Sequence, residues 1–117
     1  MMINTIAAIA AGGAIGAVLR HGVNAAALKM FGADFPYGTL AVNIIGSFAM
    51  GAFVIAFAHI WQPSETLRLL LITGLLGAFT TFSAFSLDFA TLFERGDYIA
   101  SGIYVSVSVI LSIVALF

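Results

Sequence analysis

The chain has 117 residues, 62% of them hydrophobic and 8% charged, with a formal net charge of −1 and a mean hydropathy of +1.17. A soluble domain carries about 25% charged residues, so a water-soluble fold is excluded, and the near-neutral balance excludes a basic surface for nucleic acid or anionic headgroups. Cysteine is absent, which removes disulfide and thiol chemistry, and a transmembrane helix takes about 20 apolar residues, so the length holds four spans in a single all-α transmembrane domain over 1–117.

Span 1 is predicted over about 4–28. Its opening, MMINTIAAIAAGGAIGAVLR, lacks a basic leader and runs on into more membrane sequence, so it reads as a span rather than a signal peptide. Gly12 and Gly16 form a GxxxG pair that Gly13 and Ala17 extend, a small face suited to close helix approach. Arg20 and His21 lie in its second half. The loop KMFGADFPYG follows, with Pro36 suited to a first helical turn and Phe35 and Tyr37 to the lipid–water interface. Span 2, about 38–61, places Thr39, Asn43 and Ser47 on one stripe at spacing four, with Trp61 as its closing interfacial anchor. In the loop QPSET, Ser64 is a candidate N-cap and Glu65 favours the positive helix end.

Span 3, about 67–93, is too long for one upright helix: its 27 residues would reach about 40 Å, against a hydrocarbon core of about 30 Å. Tilt or a break must absorb the excess. Just past its middle lies GLLGAFTTFSAFS (74–86), with two glycines, two threonines, two serines and three phenylalanines. A break there would leave carbonyls unpaired at membrane depth, tolerated only when they are buried in protein or bind something. Carbonyl oxygens suit Na⁺. The loop ERGDY leads to span 4, about 98–117, which carries no charge.

Four spans set both termini and the second loop, with Arg68, on one side, and the other two loops, with Lys29 and Arg95, on the other. Orientation normally follows a clear excess of basic residues, and one against two is hardly an excess. Either this bias and Arg20 fix one orientation, or copies insert both ways and pair head to tail.

Polar side chains inside a membrane face protein or water. Ser101, Tyr104, Ser108 and Ser112 share one stripe of span 4, with Ser106 on the other side, while Phe82, Phe85 and Phe89 share a face of span 3. Serines can satisfy themselves on the i−4 carbonyl, and the Asn43 amide can serve a helix–helix hydrogen bond. The alternative is a lined path. Hydroxyl and amide protons with no acid among them favour an anion, and phenylalanine edges are weakly positive. Arg20 would then draw anions into a vestibule, unless it merely snorkels. His21 and His59 have no accompanying nucleophile–base pattern or metal-ligand spacing, so an enzyme is not expected.

GTLAVNIIGSF (38–48) followed by GLLGAFTTFSAFS (74–86), with GAVLR (16–20) ahead of both, resembles the Fluc (CrcB-type) fluoride channel family across the whole chain. The resemblance implies an antiparallel, dual-topology homodimer in a bacterial inner membrane that passively exports fluoride and so limits its toxicity. It implies two fluoride pathways at the subunit interface, lined by Phe82 and Phe85 with Asn43 as donor and Thr39, Ser83, Tyr104, Ser108 and Ser112 on the polar track. Arg20 would sit at the vestibule. A structural Na⁺ at the dimer centre would rest on the backbone carbonyls of Gly77 and Thr80. Two positions depart from the pattern: Asp88 stands where the family often has glutamate, and Ala78 where many members have glycine. The alternatives are a four-span proton-coupled multidrug-type exporter, which needs an acid in span 1 that is missing here, and a membrane subunit that transports nothing.

Overall fold

All four apolar runs become helices long enough to cross a bilayer in the computed structural model, which describes residues 2–117. Helix α1 (Met2–Phe31) is longer than the apolar run alone suggested. It ends where Gly32 takes a left-handed φ of 80° and donates its N–H to Leu28 O at 2.9 Å. Helix α2 (Tyr37–His59) stops two residues short of Trp61, whose amide folds back to Ala56 O. Pro63 disfavours a helical Gln62, so Trp61 sits just past the helix, edge-on to Phe57.

The third span is three helical pieces and a π-helical one. Ser64 caps α3 (Glu65–Arg68) as expected, accepting from Leu67 N at 3.2 Å, so the helix starts two residues before the predicted boundary. It continues as a π-helical segment, Leu69–Leu76, and a single turn, α4 (Gly77–Phe79). The chain then breaks. Thr80 (φ −80°, ψ 156°) and Thr81 (φ −154°, ψ 124°) are extended, and α5 (Phe82–Glu94) restarts behind them. At the end of α5, Gly96 (φ 84°) and Asp97 donate back to Phe93 O and Leu92 O in a Schellman closure. Helix α6 (Tyr98–Leu116) completes the bundle.

The seam between α1 and the π-helical segment is built on glycine. A Cβ on Gly12 would run into Leu70 O, and one on Gly16 into Leu75 O, both backbone atoms that cannot rotate away. The GxxxG pair thus serves close packing, and it seats the segment that leads into the break. Helix α6 packs along α2, where a Cβ on Gly51 would meet Leu116 O. The predicted inner stripe of α6 is buried, with Tyr104 at 0%, Ser101 at 3% and Ser108 at 5% exposure, whereas Ser106 is exposed.

Candidate functional site

The break is held by one side chain. Asn43, in the first third of α2, donates from Nδ2 to Thr81 O at 3.1 Å and accepts from Thr81 N at 2.8 Å through Oδ1. Its amide pairs with an extended residue as a neighbouring strand would, satisfying both backbone groups that the helix has given up. The helix–helix bond left open for Asn43 therefore exists, and its second Nδ2 proton remains for another acceptor.

This pairing releases particular carbonyls. In a continuous helix the Thr81 amide would donate to Gly77 O and the Ala84 amide to Thr80 O. Here the first goes to Asn43, and the second to Thr81 Oγ1 at 3.2 Å, an ordinary N-cap. Gly77 and Thr80 thus lose their helical donors to side chains. Thr80 is fixed from its own side as well. Its hydroxyl donates to Leu76 O at 2.9 Å, and its methyl sits where a Cβ on Gly46 would be.

Beside the break lies a groove of about 340 Å³ lined by Asn43, Thr80, Phe82, Phe85, Ser108 and Ser112, among others. No charged side chain lines it. Phe82 and Phe85 have ring centroids 5.5 Å apart, and Phe85 packs 5.2 Å from Tyr104. Phe82 is 77% exposed, so its ring forms an open rim rather than part of the core. Ser108 Oγ and Ser112 Oγ are buried and have no hydrogen-bond partner among the described residues. Self-satisfaction on the i−4 carbonyl, the bland reading of these serines, is not what they do. A buried hydroxyl without a partner costs about 1–3 kcal/mol, which asks for a ligand or water in the groove.

The other predicted residues lie in two neighbouring cavities. Thr39 lines one of about 360 Å³ together with Asp88 and Arg95. Asp88 Oδ2 there accepts from Tyr104 OH at 3.0 Å, giving this acid a defined partner. Arg95 donates to Asp34 O at 2.6 Å and pairs with Asp97 at 3.3 Å, tying the first and third loops together over that cavity. Arg20 and Ser83 line a third cavity of about 480 Å³ with His21, away from the phenylalanines. Ser83 Oγ lies 3.3 Å from Thr81 Oγ1. The single lining expected from sequence is thus divided among three cavities: Arg20 and Ser83 in one, Asn43 with the phenylalanines and serines in another, and Thr39 with Asp88 in the third. Sequence reasoning missed Thr81, the residue Asn43 grips, and Gly46, the seat of Thr80. The NxxG spacing of Asn43 and Gly46 opposite a threonine pair was the available signal.

Comparison with known proteins gives the family. Residues 7–117 match the family model described as CrcB-like protein, Camphor Resistance (CrcB). The chain belongs to the CrcB-like family. It is 57% identical to a fluoride-specific ion channel FluC of Rhizobium johnstonii over 107 residues, 92% of this chain and 86% of that protein. It is 51% identical to the protein of the same name from Agrobacterium fabrum over 116 residues, covering 99% of this chain and 92% of that one. The CrcB-like match spans all four transmembrane helices, the break included, in a multi-pass membrane protein.

Proposed function

We propose that this chain is the subunit of a fluoride channel, a passive conductor rather than an enzyme, that lets the anion leave the cytoplasm of a bacterial cell across its inner membrane. The observation that carries the reading is the uncharged groove, where two buried, partnerless hydroxyls face two phenylalanine rings and the Asn43 amide. Hydroxyl and amide protons replace water around a small anion that holds its hydration tightly, and the positive ring edges of Phe82 and Phe85 add donors without a full charge. Light donors of this kind let the ion go again, as conduction requires. Arg20 gathers anions at the mouth. A membrane potential negative inside then drives the anion outward with about 2.3 kcal/mol per 100 mV.

Assembly follows from the same break. A second, inverted copy accounts for the near-even distribution of Lys29, Arg68 and Arg95 between the two sides and covers the open rim at Phe82. The released carbonyls of Gly77 and Thr80 fit a hard cation such as Na⁺, which takes oxygen donors. Each copy offers two, and a twofold axis doubles the set; the ion would clamp the two breaks together and neutralise the carbonyl dipoles. The proton-coupled exporter reading loses support because α1 carries no acid.

The test is fluoride-electrode efflux from proteoliposomes, with valinomycin setting the potential. Rapid fluoride efflux that chloride does not share supports the reading. Equal rates for both anions, or none for either, would reject it.

A further inference from the structure

The mouth cavity contains a residue that none of the foregoing uses. His21 lines it beside Arg20 and is exposed, and no hydrogen bond or ion pair ties its imidazole to another described residue. From α1 the cavity receives two basic side chains, Arg20 and His21; from the break and α5 it receives only the uncharged Thr81, Ser83, Ala84 and Leu87. Asp34, Asp88 and Arg95 line the neighbouring cavity, which shares only Asn24 and Ala84 with this one. Asp88 is further occupied there by the Tyr104 hydroxyl.

We infer that His21 is a second anion-steering residue at the mouth, one whose charge switches with pH. This rests on the channel reading above and adds a residue and a regulation to it. Histidine is the side chain that gains its charge between about pH 5 and 8. Protonation places a second positive charge next to a fixed one, in a cavity whose lining holds no carboxylate to cancel it. Low-dielectric walls focus that field and raise the local anion concentration. One further unit charge several ångströms from the ion's path through water raises entry about two- to threefold at low salt, and screening removes the effect once the Debye length falls to a few ångströms. Acid surroundings, in which fluoride enters cells as the neutral acid, are then the conditions in which conduction is strongest.

The experiment is voltage-driven fluoride efflux from proteoliposomes holding the full chain, at pH 8 and pH 5.5 on both faces. Each is measured at ionic strengths of about 0.01 M and 1 M, with protein-free vesicles subtracting leak of the neutral acid. The wild type is expected to rise about two- to threefold towards acid at low salt and to be flat at high salt. His21→Gln loses the rise. His21→Lys keeps the acid-side rate at both pH values, a rescue that a merely structural histidine would not give. A Gln variant with the wild-type pH profile, a Lys variant that behaves like Gln, or a wild type without a salt-sensitive rise overturns the inference while leaving the channel intact. A wild type no faster than empty vesicles at either pH overturns the channel reading and this inference with it.

Discussion

Asn43→Ala removes the side chain that pairs with both backbone groups of Thr81 at the break. Both backbone groups of Thr81 lose their partner, at 2.8 Å and 3.1 Å respectively. Each unmade bond to a part-buried backbone group costs about 1–3 kcal/mol, so about 2–6 kcal/mol falls on Thr81. The chain can recover part of this by returning the Thr81 amide to Gly77 O, which closes the helix. Closure withdraws a carbonyl from the proposed cation site and rotates Phe82 and Phe85 out of the groove. Even the lower figure, about 2 kcal/mol, shifts a two-state balance about thirtyfold. Fluoride efflux per reconstituted protein is therefore expected to fall at least about tenfold, with a lower Tm in detergent. Asn43→Asp keeps an acceptor for the Thr81 amide but sets a carboxylate against Thr81 O, and it is expected to lose flux as well. An alanine variant with wild-type efflux and wild-type Tm would refute the claim that this amide holds the break.

Phe82→Ile and Phe85→Ile should each cut fluoride efflux at least about tenfold without changing the elution volume. Phe82 is largely exposed in the protomer, so its loss should move stability by less than about 0.5 kcal/mol; unchanged efflux would reject the rim role. Ser108→Ala should lower efflux while Tm holds or rises, because the variant deletes a buried hydroxyl that has no partner; a clear drop in Tm would mean that the hydroxyl has a structural partner. Gly16→Ala drives a methyl into Leu75 O and should cost about 1–3 kcal/mol or more, read as a lower Tm; an unchanged Tm would show that the seam with the π-helical segment can open at no cost.

Hydropathy made the four spans legible, because nothing but a run of apolar residues is needed to specify them. The excess length of span 3 and its Gly-Thr-Ser content pointed to a break, and the break is there, at Thr80–Thr81. The π-helical geometry of Leu69–Leu76 was not legible. LLLITGLL reads equally well as α, and its close approach to Gly12 and Gly16 across the seam involves residues more than 50 positions away. Helical spacing sorted Ser108 from Ser106 correctly, since one rotation angle decides both. Asn43 was marked as needing a partner, yet no periodicity could name Thr81, which lies 38 residues away. Ser83 shows the opposite limit. The family resemblance put it on the same track as Phe82, but successive residues of a helix point about 100° apart, and Ser83 lines the cavity with Arg20 instead.

A crystal structure of the assembled protein grown with Na⁺ and fluoride tests the central claim most directly. The account predicts two inverted copies, a break pinned by Asn43 in each, and a cation on the axis held by the Gly77 and Thr80 carbonyls. Anion density should lie between the rims of Phe82 and Phe85 and the hydroxyls of Ser108 and Ser112. A helix running unbroken through Thr80 and Thr81, or a parallel pair with its halide bound away from that groove, would contradict it.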